Sequence, residues 1–253
     1  MDPCSISNME HGSMVCQNAV MPRTRGRAPD GKWRADALSR EVIVGAAVGL
    51  LDELGERGLT FRLLAKELNT GLGALYWHVA NKDELVALAA DQVLGDAFAA
   101  DLRPDEGAGP GLRALAVAVF DALDRHPWAA SHVNAPPTLA NALHLLDRIG
   151  TLVARTGLPA ERHFAVSTAI SYYITGVSAQ IVAPRATIDA TTGRDDFLAR
   201  TAEDWGKLDP ADYPFLTRTT ADLRDHDDRD QFTTGLDLLL DGLNATADPR
   251  PPT

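Results

Sequence analysis

The segment that decides the fold at the front of this 253-residue chain is residues 60–85, TFRLLAKELNTGLGALYWHVANKDEL. Thr60 can cap a helix whose apolar residues recur at three and four positions, and Asn69 can end it because asparagine tolerates the left-handed conformation. Leu72, Leu75 and Val79 then supply the buried side of a second short helix. Two such helices joined by a tight turn form a helix-turn-helix, whose second helix enters a DNA major groove. A helix pair without a nucleic-acid role has the same spacing, so the spacing alone leaves both interpretations open.

Three segments of this stretch resemble the DNA-binding end of the TetR family of bacterial one-component regulators. The family pattern is Thr-x-Arg-x-Leu-Ala, then Leu-Tyr-x-His-Phe/Val, then Asn/Asp-Lys-x-x-Leu. The chain has TFRLLA at 60–65, LYWHV at 75–79 and NKDEL at 81–85, in order and without gaps. Tyr-Trp-His-Val is most similar to the tetracycline-repressor branch. The resemblance implies an all-α fold, with an N-terminal three-helix helix-turn-helix domain and a C-terminal helical bundle that binds a ligand and dimerises.

The resemblance also implies which residues contact DNA. Arg62 would reach the edge of a guanine in bidentate geometry, while Tyr76, His78 and Lys82 would bond phosphates and fix the register. Trp77 could touch a phosphate, but its amphipathic indole favours packing beside the first and fourth helices. The remaining predicted contacts lie in the turn and the start of the second helix: Thr70, Gly71, Leu72, Gly73 and Ala74.

The start of the second helix departs from the family pattern. Residues 71–73 read Gly-Leu-Gly where relatives carry polar or proline residues, and Ala74 stands where threonine or serine is frequent. Glycine lets the backbone approach the groove and Ala74 could contact a thymine methyl group, but little hydrogen bonding is on offer. We therefore expect few direct contacts to base edges, and we expect Arg62, Thr70 and the basic segment that precedes the first helix to read the DNA.

Composition and charge exclude several classes of protein. The chain is 45% apolar, enough for a core, and has no run of 18 uninterrupted apolar residues, so no membrane span is predicted. Its first thirty residues lack the order of a signal peptide, which favours the cytoplasm. Cys4 and Cys16 lie in this polar segment, where a disulfide or metal role is possible and incidental cysteines are the favoured interpretation.

The net charge of −11 is concentrated in the rear of the chain. Residues 1–85 hold 10 basic against 11 acidic side chains, whereas residues 86–253 hold 14 against 24. Residues 22–35 contain five basic side chains and one acid, and such an arm can lie along phosphates or enter a minor groove. An ordinary disordered tail is an equally good interpretation of this segment. An acidic rear favours DNA binding in one orientation.

The apolar spacing and the breaks between helical segments predict the domain organisation. A helix beginning near Ser39 stops at Gly55 and Gly58, and a fourth helix begins near Lys82 and extends to about Ala100. Further helices are expected at roughly 111–125, 137–156, 159–183, 195–206 and 230–245, and no strict alternation predicts a strand. The predicted units are a disordered basic arm at 1–37, a DNA-binding head at 38–83, an effector-binding and dimerisation body at 84–246, and a disordered tail at 247–253.

Two helices of the body have the composition of helix–helix interfaces. The helix at 159–183 has small residues such as Ala165 and Ala169 on one side. The helix at 230–245 carries a leucine-rich stripe, which consists of Phe232, Leu236, Leu239, Leu240 and Leu243. In TetR-like proteins the matching helices pair with their symmetry mates, which implies a homodimer. The alternative is that both stripes are buried within one subunit.

The body is also expected to hold a small molecule. The candidate pocket residues are Phe120, Trp128, His132, Asn134, His144, Tyr172, Thr175 and Gln180. For any one of them taken singly, an ordinary core or surface role is the favoured interpretation. Tetracycline with magnesium is not favoured, because Ala97 and Phe98 replace the histidine that ends the branch's fourth helix. Ala135 likewise replaces the threonine of its metal-binding His-x-x-Thr. We predict no metal and no cofactor.

The sequence therefore predicts a DNA-binding regulator rather than an enzyme. Residues 176–180 begin like a nucleophile elbow but lack its closing glycine, and no zinc-protease, Cys-x-x-Cys or phosphate-loop motif occurs. The favoured function is a repressor that a small-molecule effector releases from a near-palindromic operator. An activator is one alternative, and a helical small-molecule binding protein with a vestigial head is another.

Overall fold

Side-chain caps begin the first two helices, and the cap at Thr60 is the one that the sequence predicts. The computed structural model describes residues 38–100, 107–133, 139–182 and 193–247, so the predicted basic arm, the predicted tail beyond residue 247 and Asn134 lie outside the described residues. Helix α1 spans Arg40–Gly58, and its Val42 N–H donates to the Ser39 hydroxyl at 3.3 Å. Helix α2 spans Phe61–Glu67, and its Leu63 N–H donates to the Thr60 hydroxyl at 3.1 Å.

Two residues with positive φ shape the head. The sequence predicts that the first helix stops at Gly55 and Gly58. In the structure Gly55 has φ 63° and interrupts α1, which then ends at Gly58. Asn69 has φ 48° and lies in the turn between α2 and helix α3, which spans Leu72–His78. Both conformations suit these residue types, because asparagine and glycine tolerate the left-handed region.

Helix α4, Lys82–Ala100, begins with a reciprocal cap. The Glu84 N–H donates to the Asn81 side-chain oxygen at 2.8 Å, and the Glu84 carboxylate accepts from the Ala80 N–H at 2.7 Å. Arg40 at the start of α1 forms an ion pair with the same carboxylate. The cap therefore fixes the start of α4 against α1 inside the head.

After α4, six further helices follow in the part of the chain that the structure describes. These are α5 Ala108–Arg125, α6 Ala140–Ala154, α7 Ala160–Val182, α8 Arg194–Gly206, α9 Thr220–Arg224 and α10 Asp228–Ala247, with 3-10 turns at Pro127–Ser131 and Leu216–Arg218. The described residues contain no strand, which confirms the all-α fold class. None of their helices has the length and apolar character that a membrane span needs.

One apolar core connects the head to the body. Ile43 and Leu51 of α1, Leu64 of α2 and Leu75 of α3 are almost completely buried, and the cluster continues through α4 into α5, α7 and α10. Since α1 packs on α4 and α4 packs on α5 and α6, helix α4 contacts both the head and the helices that follow it.

Candidate DNA-binding surface and effector cavity

The buried residues of α2 and α3 leave the predicted DNA contacts facing outward. Leu64, Leu75 and Val79 are at most 1% exposed and fix the two helices to each other and to α1. Arg62 and Tyr76 are exposed. The other predicted contacts are exposed at Gly71, Leu72, Gly73, Ala74 and Trp77 and partly buried at Thr70, His78 and Lys82. Leu72 is 41% exposed, so its predicted place on the buried side of the second helix is wrong. It is the first residue of the seven-residue helix α3, and Leu75 and Val79 fill the inward side without it.

Phe61 holds the ring of Tyr76 in place. The two rings stack with centroids 4.7 Å apart and planes 5° from parallel, and Tyr76 keeps 54% of its surface exposed. Phe61 fits the apolar spacing that predicts the core of α2, but it is only partly buried and forms a platform for the phenol. A stacked ring loses less freedom when its hydroxyl meets a phosphate.

Lys82 is positioned by the end of α1. Its ammonium group donates a hydrogen bond to the backbone carbonyl of Glu56, close to the C-terminus of α1. A lysine ammonium has three donors, so this contact leaves others for a phosphate. The same bond ties the start of α4 to the end of α1.

Trp77 does not pack beside the first and fourth helices. Its side chain is 88% exposed, so the packing interpretation of this indole does not hold. The reason is geometric: α3 has seven residues, and Leu75 and Val79 occupy its inward side, which leaves Trp77 on another face. An indole this exposed next to Tyr76 and His78 favours the DNA-contact interpretation.

Trp77→Ala therefore tests the outward role of the indole. We expect the free energy of unfolding to change by less than about 0.5 kcal/mol, because the side chain buries little surface. We expect operator affinity to fall about threefold to tenfold through loss of one stacking or phosphate contact. Urea denaturation and a gel shift measure the two effects, and a large loss of stability with unchanged DNA binding would contradict this assignment.

A polar seam joins the body to α1, and it contains two residues predicted for the effector pocket. The Trp128 indole N–H donates to Asp52 Oδ1 at 2.8 Å, and His126 Nδ1 lies 2.8 Å from the same oxygen. His132 Nε2 lies 2.7 Å from Glu56 Oε1. Carboxylates only accept hydrogen bonds, so each imidazole nitrogen that faces one carries a hydrogen. Trp128 and His132 thus connect the body to the head.

Asp52→Ala tests the strength of this seam. The substitution leaves the indole N–H of Trp128, a 4% exposed residue, without its acceptor, and we expect a loss of about 1–2 kcal/mol in the free energy of unfolding. Glu53→Ala, one position along the same helix on an exposed carboxylate, is the matched control. Urea denaturation of both variants measures the difference, and equal stabilities would show that the seam contributes nothing to folding.

The remaining pocket predictions are divided between the core, the surface and two cavities. Phe120 is 1% exposed and stacks on Phe232 with centroids 4.5 Å apart, so it belongs to the core. His144 is exposed on α6. Tyr172 and Thr175 line a cavity of about 530 Å³, and Gln180 lines a second one of about 480 Å³.

The larger cavity lies between α4, α6 and α7. Its lining residues are Leu94, Val133, Ala142, Leu145, Leu146, Thr168, Ser171, Tyr172, Thr175 and Gly176, and none of these described residues is charged. The Thr168 and Thr175 hydroxyls donate to the carbonyls of Phe164 and Ser171 within α7, at 2.9 and 3.0 Å. Their oxygens remain as acceptors for a bound molecule.

The smaller cavity lies between the end of α7, α8, α9 and the start of α10. Phe197, Trp205 and Phe215 supply its aromatic surface. Arg194 reaches Asp228 Oδ1 at 2.6 Å in its wall, and the hydrogen bond to that carboxylate raises the pKa of the Arg194 guanidinium above its ordinary value. In the described residues no group of three or more histidine, cysteine or acidic side chains is arranged to hold a metal ion.

Comparison with known families matches both parts of the chain. A model described as bacterial regulatory proteins, tetR family, matches residues 43–89, and a tetracyclin repressor-like C-terminal domain matches residues 104–247. The chain belongs to the TetR family. It is therefore a helix-turn-helix transcriptional regulator, and the resemblance seen in residues 60–85 is confirmed.

TetR-family relatives cover most of the chain. An HTH-type transcriptional regulator of Saccharopolyspora erythraea is 34% identical over 218 residues, which are 83% of this chain and 86% of the relative. The HTH-type transcriptional repressor DrrR1 of Streptomyces coeruleorubidus is 31% identical over 229 residues, 86% of this chain and 81% of that one. The solved structure of SCO7222, a TetR from Streptomyces coelicolor, superimposes with a TM-score of 0.70 at 40% identity, covering 83% of this chain and all of that one.

The TetR-family resemblance did not reveal the polar contacts that join the helices. Asp52 and Glu56 face the body from α1, and Asp91 of α4 contacts the start of α6. The sequence holds one sign that such contacts exist, because a buried indole N–H or a buried amide N–H needs a hydrogen-bond acceptor. Their partners lie 50 or more residues away in the chain, and spacing cannot identify partners at that distance.

Proposed function

We propose that this chain is a cytoplasmic, homodimeric repressor that a small-molecule effector releases from a near-palindromic operator. The proposal depends on one observation: Arg62, Tyr76 and Trp77 are exposed together on a head whose supporting helix α4 also lines the larger cavity. In this proposal residues 38–83 read DNA, and residues 84–246 bind the effector and dimerise. The basic residues of the arm at 1–37 add sequence-independent contacts along the phosphates.

Each exposed residue of the head has a proposed role on DNA. Arg62 reads a guanine through its O6 and N7 atoms, and Tyr76, His78 and Lys82 bond phosphates on either side of the groove. Trp77 joins them at the backbone. Thr70 and residues 71–74 bring the start of α3 close to the base edges. Gly71 and Gly73 have no side chain there, and the side chains of Leu72 and Ala74 have no hydrogen-bonding group.

Dimerisation through α7 and α10 would place two heads on one face of the duplex. Several large apolar side chains on these helices are exposed in the single subunit: Phe164 at 77%, Tyr172 at 71%, Leu238 at 70% and Leu239 at 42%. Large apolar side chains that are this exposed on two neighbouring helices favour a protein interface there. The two heads would then enter successive major grooves, about 34 Å apart, which requires an operator with two-fold symmetry.

The larger cavity is the proposed effector site. Leu94, Leu145 and Leu146 offer an apolar surface, while the Thr168 and Thr175 oxygens accept hydrogen bonds. Such a site suits an uncharged, mainly apolar molecule that carries hydroxyl or N–H donors. Binding of the effector would favour a dimer whose heads are spaced wrongly for the operator. Effector and DNA would then each lower the affinity of the protein for the other.

A selection from random duplex DNA tests the regulatory function. Full-length protein is expected to enrich a site with two related half-sites, and a gel shift is expected to show two subunits per duplex. Raising salt from about 50 to about 200 mM is expected to weaken binding by at least tenfold, because several phosphate contacts release counterions. Failure to enrich any site would favour the alternative of a small-molecule binding protein with a vestigial head.

A further inference from the structure

Helix α6 begins without a cap of its own. Its N-cap residue is Leu139, whose side chain has no hydrogen-bonding group, and no side-chain cap is formed there. The first turn of any helix has backbone N–H groups without helical partners, and a polar N-cap side chain normally accepts from the second or third of them. In α6 those donors are the N–H groups of Asn141 and Ala142.

Asp91 on α4 accepts both of these N–H groups. The Asn141 N–H lies 3.1 and 3.2 Å from the two carboxylate oxygens, and the Ala142 N–H lies 3.0 Å from Oδ1. The Asn141 amide also donates to the Asp91 backbone carbonyl at 2.9 Å and to Oδ2 at 3.2 Å. Asp91 is 8% exposed. A carboxylate at a helix N-terminus is favoured by the helix dipole, and charge-assisted bonds of this kind are strong.

Gly95 makes this close contact possible. A Cβ atom at Gly95 would lie 2.7 Å from the Asn141 amide nitrogen and 2.9 Å from its Cγ. The absence of a side chain therefore allows Asn141 to lie flat on α4 and reach Asp91. Two residues one helical turn apart on α4 thus form a seat for the first turn of α6.

The seat lies at the edge of the larger cavity. Leu94 of α4 and Ala142, Leu145 and Leu146 of α6 all line that cavity, and the N–H of Ala142 is one of the groups that Asp91 accepts. A molecule in the cavity contacts both helices beside the point at which Asp91 holds them together. In the other direction α4 begins in the head, where Lys82 and Glu84 bond to α1 and its neighbours.

We propose that Asp91 is a positioning residue that couples the effector cavity to the DNA-binding head by holding the first turn of α6 against α4. This inference rests on the proposed function, because it concerns the regulation of the same cavity. Coupling between two sites is reciprocal, so if the contact between Asp91 and α6 carries it, we expect operator DNA to change the stability of the first turn of α6. That consequence can be measured without knowing the effector.

Hydrogen–deuterium exchange of the full-length protein, with and without the selected operator duplex, tests the coupling. In the wild type we expect operator to slow exchange of residues 140–146 by about threefold or more. In Asp91→Asn, which keeps the size but loses one acceptor oxygen and the charge, we expect that operator-dependent difference to disappear. Gel shifts of the same samples should show operator affinity within about fivefold of wild type, since Asp91 is not a predicted DNA contact and lies more than two turns along α4 from Lys82, the predicted contact on that helix.

Matched variants separate coupling from a merely structural role. Asp96→Asn removes an exposed carboxylate five residues along α4 and is expected to keep the wild-type exchange difference. Gly95→Ala displaces Asn141 and is expected to reduce the difference, whereas Gly49→Ala on α1, with nothing within 4 Å of the new Cβ, is expected to leave it unchanged. If Asp91→Asn fails to fold, the comparison of Gly95→Ala with Gly49→Ala still tests the coupling.

The outcomes distinguish the coupling from the proposed function. An undiminished exchange difference in both Asp91→Asn and Gly95→Ala would overturn the coupling, as would wild-type protein that binds operator without any change at residues 140–146. Wild-type protein that retains no duplex in the gel shift would overturn the proposed function itself, and the coupling with it.

Discussion

Arg62→Ala is expected to remove most of the sequence preference of this regulator. Arg62 lies in the first turn of α2, is exposed, and is the residue of the head whose side chain fits a guanine edge best. The recognition helix offers glycines, a leucine and an alanine at its start, so little other direct readout is available to compensate. A bidentate arginine–guanine pair supplies about 1–3 kcal/mol of discrimination, or roughly 5- to 100-fold in affinity.

The measurement is the ratio of affinities for the selected operator and a scrambled duplex of the same length. Lys66→Ala is the matched control, because Lys66 is an exposed basic residue one turn further along α2. Loss of a phosphate contact weakens both duplexes alike, so Lys66→Ala is expected to leave the ratio unchanged. An unchanged ratio in Arg62→Ala would show that Arg62 does not read bases.

The head could be predicted from sequence because its determinants are local. Thr60 caps the helix that follows it, Asn69 takes the positive φ of the turn, and Leu75 and Val79 are buried at helical spacing. Each feature depends on residues within one or two turns of itself, which is the range over which spacing and capping rules act. Trp77 departs from this pattern because a two-turn helix has room for few inward residues.

The contacts between the head and the body could not be predicted in the same way. The sequence offers Trp128 and His132 as pocket candidates because they are polar groups scattered through the helical body, yet their partners are carboxylates 76 residues earlier in the chain. Leu139 gives no sign that a helix starts after it, since the cap comes from Asp91 on another helix. Such pairings depend on how helices pack and leave no periodic signal.

The predicted dimer interface shows a mixture of local and long-range determinants. Phe232, Leu236, Leu240 and Leu243 of α10 are buried inside the subunit, so that part of the leucine-rich stripe serves the core. The stripe's remaining member, Leu239, is 42% exposed, and its neighbour Leu238 is 70% exposed. On α7 the small residues Ala165 and Ala169 are exposed beside Phe164 and Tyr172. The composition points to two helices that carry exposed apolar side chains in the subunit, but it could not separate the two sides of α10.

Leu238→Glu is therefore expected to convert the proposed dimer into monomers without unfolding the subunit. The Leu238 side chain is already exposed in the subunit, so in a monomer the added carboxylate is solvated by water. In the dimer two such carboxylates would lie near the two-fold axis, where they would repel each other and lose solvation. Light scattering at micromolar concentration is expected to give half the wild-type mass. Operator affinity is expected to fall by about 100-fold or more, because linked heads bind their second half-site at an effective concentration near millimolar.

Leu143→Glu is the matched control for this experiment. Leu143 is a half-exposed leucine on α6, outside the two helices of the proposed interface, and its substitution adds the same charge to the acidic body. We expect this variant to keep the wild-type mass and to bind the operator within about threefold of wild type. A dimer that survives Leu238→Glu would place the interface elsewhere, and a wild-type monomer that binds the operator tightly would contradict the two-headed arrangement, because a single head contacts only one half-site.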